Sequence, residues 1–143
     1  MPIKNYTTKI DPHKTIWEIQ SILSKHGAQE ISISYDERSN PVAIKFMIVI
    51  SWHPTPYKLP ANYQWVKGAL RKHHNLPASL RTDEHALRVS WRIIKDWIDS
   101  QLALIESEQA ELSQIFLPYV LNKNWKTLYE VFKEQPTLLL WTK

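Results

Sequence analysis

Six histidines and fourteen carboxylates are the side chains of this 143-residue sequence best suited to catalysis, and their spacing decides what chemistry they support. Zinc ligands on a helix sit three or four residues apart and are completed by a second cluster. His13, His26, His53, His73, His74 and His85 contain no His-x-x-x-His or His-x-x-Glu spacing, and the adjacent His73 and His74 point in different directions on a helix. A metal arrangement would have to be assembled by the fold, from His74, His85 and Asp83; the simpler reading is of surface histidines near helix ends. Asp83 and Glu84 read as helix-dipole partners at a helix start. Asp96 and Asp99 read as i,i+4 partners of Arg92 and Lys95, and Glu84 as one for Arg88. Asp36 and Glu37 in a turn, with Lys45 on the next strand, imitate a divalent-metal nuclease only loosely. The two glycines exclude a P-loop, a dinucleotide fingerprint and a nucleophile elbow, and the lack of Cys excludes thiolate chemistry and disulfides. No catalytic residue, metal ligand or cofactor is assigned, and a non-enzymatic role is expected.

The remaining chemistry is electrostatic. Residues 58–95 carry eight basic side chains (Lys58, Lys67, Arg71, Lys72, Arg81, Arg88, Arg92, Lys95) and two acidic ones, whereas residues 96–143 are net acidic. Such polarisation orients a polyanion. Arg88, Arg92 and Lys95 fall at i, i+4, i+7 and form one helical stripe for phosphates. Trp52, Tyr57 and Tyr63 are placed to stack on unpaired bases or fill a protein pocket. Of the seven Trp, those on helices (Trp17, Trp65, Trp91, Trp97) are expected in the core. Trp52, beside a Pro-rich lip, and Trp141, in the apolar tail, are the candidates for partner binding.

The elements that must position these residues follow from pattern. Ile3–Ile10 reads as a short first strand. Asp11-Pro12 caps and starts a helix, with Thr15–Glu18 as an alternative capping box, and Gly27 stops it. Gln29–Tyr35 alternates as a strand, and Val42–Ser51, apolar on both faces, reads as the central one. Trp52–Pro56 breaks it, and Tyr57–Leu59 is at most a brief edge strand. Asn62 caps a helix to His73. Thr82 or Asp83 caps the longest helix, to about Glu108, whose apolar seam is Leu87, Trp91, Ile94, Ile98, Leu102 and Ile105. A last helical region, Glu111–Glu134, is divided by Pro118 and Asn122–Asn124. The expectation is one α+β domain over 1–143, in the order β-α-β-β-(β)-α-α-α. A small antiparallel sheet is packed by an N-terminal helix (about 1–60), and a helical half follows (about 61–143). Met1–Asp11 has no signal-like apolar run, and Val42–Ile50 is too short to cross a bilayer. A soluble cytoplasmic protein without a membrane partner is expected.

Lys14-Thr-Ile-x-Glu18-Ile, Lys25-His-Gly-Ala28, Leu59-Pro-Ala-Asn62, Trp91-Arg-Ile-Ile-Lys-Asp-Trp97, Gln101-Leu-Ala-Leu-Ile-Glu106 and Ile115-Phe-Leu-Pro-Tyr119 together resemble a set of small uncharacterised proteins of phages, prophages and other mobile elements. The resemblance implies a setting of replication, recombination or counter-defence and carries no catalytic residues. Two functions are therefore carried forward. The first is a mobile-element accessory protein that binds nucleic acid, or a nucleic-acid-handling complex, through residues 58–95. The second is a protein-binding module, such as an inhibitor of a host defence or nuclease complex, that uses the lip and tail or self-associates as a homo-oligomer. A metal-dependent nuclease ranks below both.

Overall fold

The computed structural model describes residues 3–138. The first helix, α1 (Pro12–Lys25), begins where Asp11 Oδ1 accepts the His13 N–H at 2.8 Å and Pro12, lacking a donor, takes the first helical position. It ends at Gly27, whose φ of 94° lets Gly27 N–H reach the Ser24 carbonyl and Ala28 N–H the Leu23 carbonyl. Thr15, the alternative start, is instead buried inside the helix.

Three antiparallel strands follow, β1 (Gln29–Tyr35), β2 (Pro41–Ile50) and β3 (His53–Pro60), with β2 in the centre as its two-sided apolar pattern requires. The β1–β2 loop is closed by Asp36, whose Oδ1 accepts the backbone N–H groups of Arg38 and Asn40 at 2.9 Å. The Tyr63 hydroxyl donates to Asp36 Oδ2 at 2.8 Å and ties this loop to the next helix.

The β2–β3 connection corrects the sequence reading. Trp52–Pro56 does not break the sheet; Ile50 pairs with His53 across a two-residue turn, and Ser51 and Trp52 take φ of 49° and 69°. Left-handed backbone at both turn positions matches the strand twist. The strand that follows is full length despite Pro54, Pro56 and Pro60, because they share one parity on an edge strand. The Pro56 carbonyl accepts the Leu121 N–H at 2.9 Å, away from β2. Residues of that parity therefore face the sheet edge, where a missing N–H costs no ladder bond.

The helical half consists of α2 (Tyr63–Arg71), the long α3 (Asp83–Glu106), and the short α4 (Leu112–Ile115) and α5 (Leu128–Glu134), with single 3-10 turns at Ala78–Leu80, Leu117–Tyr119 and Pro136–Leu138. Thr82 Oγ1 caps α3 by accepting the His85 N–H at 3.1 Å. Asn62 precedes α2 without a side-chain capping bond. Thr127 and Glu130 form a capping box on α5. The central part of the fold is α3, packed on both α1 and α2. Its Leu87, Trp91, Ile98 and Leu102 join Ile19 and Leu23 of α1, the Ile44 and Phe46 face of β2, and Phe116 in one core. The architecture is α+β, with α1 and α3 packed on the Ile44 and Phe46 face of the sheet.

The expected first strand is not formed. Ile3–Ile10 is turn and irregular chain, with Asn5 at φ 64°. Its polar groups are satisfied by α3 rather than by a sheet edge: Asn5 Nδ2 donates to Asp96 Oδ2 at 2.8 Å, and the Tyr6 carbonyl accepts from His85 Nε2. Among the described residues no helix is long and apolar enough to cross a membrane.

Candidate functional site

The structure divides the eight basic residues by what they face. The α3 stripe is turned largely inward. Arg92 Nη1 lies 2.8 Å from Glu18 Oε2 on α1, and Lys95 lies 3.8 Å from the same oxygen and 2.8 Å from Asp99. The expected Arg92–Asp96 pair is displaced, because Asp96 is taken by Lys4 and Asn5, and no Glu84–Arg88 pair forms among the described residues. Burial raises the Asp96 carboxyl, but the Asn5 amide and Lys4 outweigh it and hold it below the usual range. Lys67 Nζ is 2.7 Å from Asp83 Oδ1, and this lysine, with Arg38 and Arg71 adding to it, keeps Asp83 ionised below its ordinary pKa. Arg81 is half-buried, and its Nε is enclosed without a hydrogen-bond partner. Arg88 is half-buried against His85. Lys58, Arg71 and Lys72 are left, with no carboxylate oxygen within 4.0 Å among the described residues.

Two of these three mark the ends of a row of three adjoining depressions, a track along the surface. A cleft of about 510 Å³ is lined by Lys58, Pro60, Asn62, Tyr119, Tyr129 and Glu130. Through Pro60, Asn62 and Tyr119 it joins a second, of about 420 Å³, whose walls include Trp65, Val66, Ile93, Ile94 and Trp97. Trp65 in turn borders a shallow depression over Gly68 that ends at Lys72. The corner from β3 to α2 creates this path, since it sets the exposed face of α2 alongside the middle of α3. The Thr127 backbone N–H, followed by the Thr127 hydroxyl, Lys58 and Lys126, holds the Glu130 carboxyl on the rim below its usual range despite some burial.

The aromatic expectations change more than the charges. Tyr57, expected to stack on a ligand, is a core residue whose ring stacks on Phe46 with centroids 5.5 Å apart. Trp91 is fully buried, and Trp97 packs edge-on against Phe116 and Tyr119. Trp17 and Trp65, expected in the core, are 66% and 81% exposed. Trp52 is 94% exposed at the β2–β3 turn, and Trp125, which sequence reasoning passed over, is 69% exposed with Lys45 Nζ 5.7 Å from its ring centre. Trp125 lies in a turn at φ 63° where Asn122 Oδ1 accepts the backbone N–H groups of Asn124 and Lys126; the break read at Asn122–Asn124 was the sequence signal that could have placed it at the surface. Trp141 and most of the apolar tail fall outside the described residues.

The metal reading finds no support in the side-chain geometry. His85 is buried on the Tyr6 carbonyl, Asp83 is engaged by Lys67, and Asp36 holds its own loop. Two backbone N–H bonds, foremost that of Asn40, together with the Tyr63 hydroxyl and Arg38, keep Asp36 ionised below its normal range. Among the described residues no group of three or more His, Asp or Glu is arranged to hold an ion. Comparison with protein-family models, curated proteins and solved structures returned no match.

Proposed function

We propose that this protein is a non-enzymatic module that binds single-stranded nucleic acid along the track from Lys58 to Lys72. The observation that carries the reading is the track's composition: cations at its ends with no carboxylate oxygen within 4.0 Å among the described residues, the rings of Tyr129, Tyr119, Trp97 and Trp65 along it, and Glu130 as the one carboxylate on its rim. A single strand offers a charged phosphate and an unpaired π-face at every nucleotide, and such a lining meets both. Gly68 fits the same use. A glycine inside an exposed helix weakens it by about 0.5–1 kcal/mol relative to Ala. Packing among the described residues does not require one here, since a methyl group at this position would meet no atom beyond its own stretch of helix within 4 Å. Its absence leaves a notch between Trp65 and Lys72 through which a flat base can approach α2. A phage or mobile-element setting, in replication, recombination or counter-defence, accords with this use.

Fluorescence anisotropy with short oligo-dT and the matching duplex tests the proposal. The single strand is expected to bind more tightly at low salt and to weaken steeply as salt rises. Lys58→Glu/Lys72→Glu should lower affinity about tenfold, equivalent to about 1.4 kcal/mol, and flatten the salt dependence. Gly68→Gln should weaken binding while leaving the fold as stable or more so. Absence of binding at low salt, or binding indifferent to salt, refutes the reading.

The apolar walls Val66, Ile93 and Ile94 favour a second reading, in which the same track takes an apolar side chain of a protein partner, such as a component of a host defence or nuclease complex. A lysate partner retained after nuclease digestion, and lost in Trp65→Ala, would support it over the first.

A further inference from the structure

We infer that the small pocket between the N-terminal loop and the start of α3 is a binding site for a phosphate group. It is formed by Thr7, Thr8 and Lys9, by Ser79 and Leu80 of the 3-10 turn, and by His85 and Arg88, and it shares no residue with the Lys58–Lys72 track. Its volume of about 220 Å³ suits one tetrahedral oxyanion with part of its hydration shell. Two cations and three hydroxyl side chains line it, and no carboxylate does. Neither Lys9 nor Arg88 has a carboxylate oxygen within 4.0 Å among the described residues, so their charges are not spent inside the fold.

The arginine is also held in place. His85 is buried, and because the Tyr6 carbonyl can only accept, the histidine Nε2–H must be the donor to it. That tautomer presents the Nδ1 lone pair, which accepts from Arg88 Nη2 at 3.4 Å. One guanidinium nitrogen is thereby directed at His85, and the other N–H groups remain for a ligand. Thr8 Oγ1 accepts the Ile10 N–H at 3.2 Å, so its hydroxyl proton stays available as a donor. A preset guanidinium fork with surrounding donors and no competing acceptor charge is the arrangement that recognises phosphate. The group could come from a free phosphate compound or from the end of a nucleic-acid strand; the chemistry of recognition is the same.

Thermal unfolding of the full chain in inorganic phosphate, acetate and chloride at matched ionic strength tests the site. Phosphate is expected to raise Tm saturably by a few degrees over chloride, and acetate to do so less or not at all. Arg88→Met should abolish the phosphate response. Lys9 is exposed, so Lys9→Met gives the same test without risk to folding. Titration with 5′-phosphorylated and 5′-hydroxyl oligo-dT then identifies the source. Displacement of inorganic phosphate only by the phosphorylated strand assigns the site to nucleic-acid ends, and displacement by neither assigns it to a free phosphate compound. Identical Tm in phosphate and chloride, or a phosphate response that survives in both Arg88→Met and Lys9→Met, overturns the inference. Failure of oligo-dT binding along the Lys58–Lys72 track would leave it standing, because the inorganic phosphate measurement does not depend on that surface.

Discussion

Trp91→Ala is expected to remove most of the stability of this protein. The indole is fully buried at the centre of α3, among residues contributed by the sheet and the neighbouring helices. Truncating a large buried aromatic costs about 3–5 kcal/mol, through lost transfer energy and the cavity left behind. A second loss adds to this. Trp91 Nε1–H donates to the Pro41 carbonyl at 3.0 Å, a buried bond that fastens the start of β2 to α3 across 50 residues of sequence. Leaving that carbonyl unpaired costs about 1–3 kcal/mol more where no water reaches it. Against a typical total of about 5–15 kcal/mol, the variant should unfold at a far lower urea concentration, or fail to fold at physiological temperature. Trp91→Phe keeps most of the volume and separates the two terms. Trp17→Ala and Trp65→Ala, at exposed positions, should stay within about 0.5 kcal/mol of the parent. A urea midpoint for Trp91→Ala close to that of the parent would mean that the core is not organised around this residue.

Arg92→Glu is the second large effect, and it falls on folding rather than on ligand affinity. Both partners of the Arg92–Glu18 pair are about four-fifths covered, with 20% and 24% of the side chains exposed. Reversal sets two carboxylates against each other between α1 and α3 and leaves Lys95, at 3.8 Å, to share the Glu18 charge alone. Exposed pairs are worth less than about 1 kcal/mol, and breaking fully buried ones costs about 3–5, so a loss of about 1–3 kcal/mol is expected here. The double variant Glu18→Arg/Arg92→Glu should regain a large share of it. Denaturation of the two single variants and the double gives the coupling energy directly. Unchanged stability in Arg92→Glu, together with a loss of oligonucleotide affinity, would return Arg92 to the binding surface that its sequence position suggests.

These two positions also mark where the sequence was legible and where it was not. Local signals act within a few residues and were readable as such. Asp11-Pro12 started α1, Gly27 ended it, Thr82 capped α3, and the spacing of Leu87, Trp91, Ile98 and Leu102 traced the side of α3 that reaches the core. The α+β class, the central place of β2 and the Lys95–Asp99 pair follow from the same short-range rules. The strand expected at Ile3–Ile10 is not formed, although the outer edge of β1 pairs with no further strand among the described residues; α3 offered Asp96 and His85 as partners instead, and these tertiary bonds outweighed the local β preference. The Pro-rich lip failed as a strand breaker because the penalty for proline depends on which way its nitrogen faces, and only pairing with β2 decides that.

The basic segment shows the same division. Composition alone determined that residues 58–95 hold an excess of cations, and helical spacing determined that Arg88, Arg92 and Lys95 share one side of a helix. Which of them face solvent was decided only when α1 brought Glu18 against α3 and the start of α3 brought Asp83 beside Lys67. Carboxylates far away in sequence select the cations that remain unpaired, because ion pairing acts through distances in space that the order of residues does not encode. The aromatic side chains obey the same physics. An indole on an amphipathic helix lies in the core only if another element covers that side, and for Trp17 and Trp65 none does among the described residues.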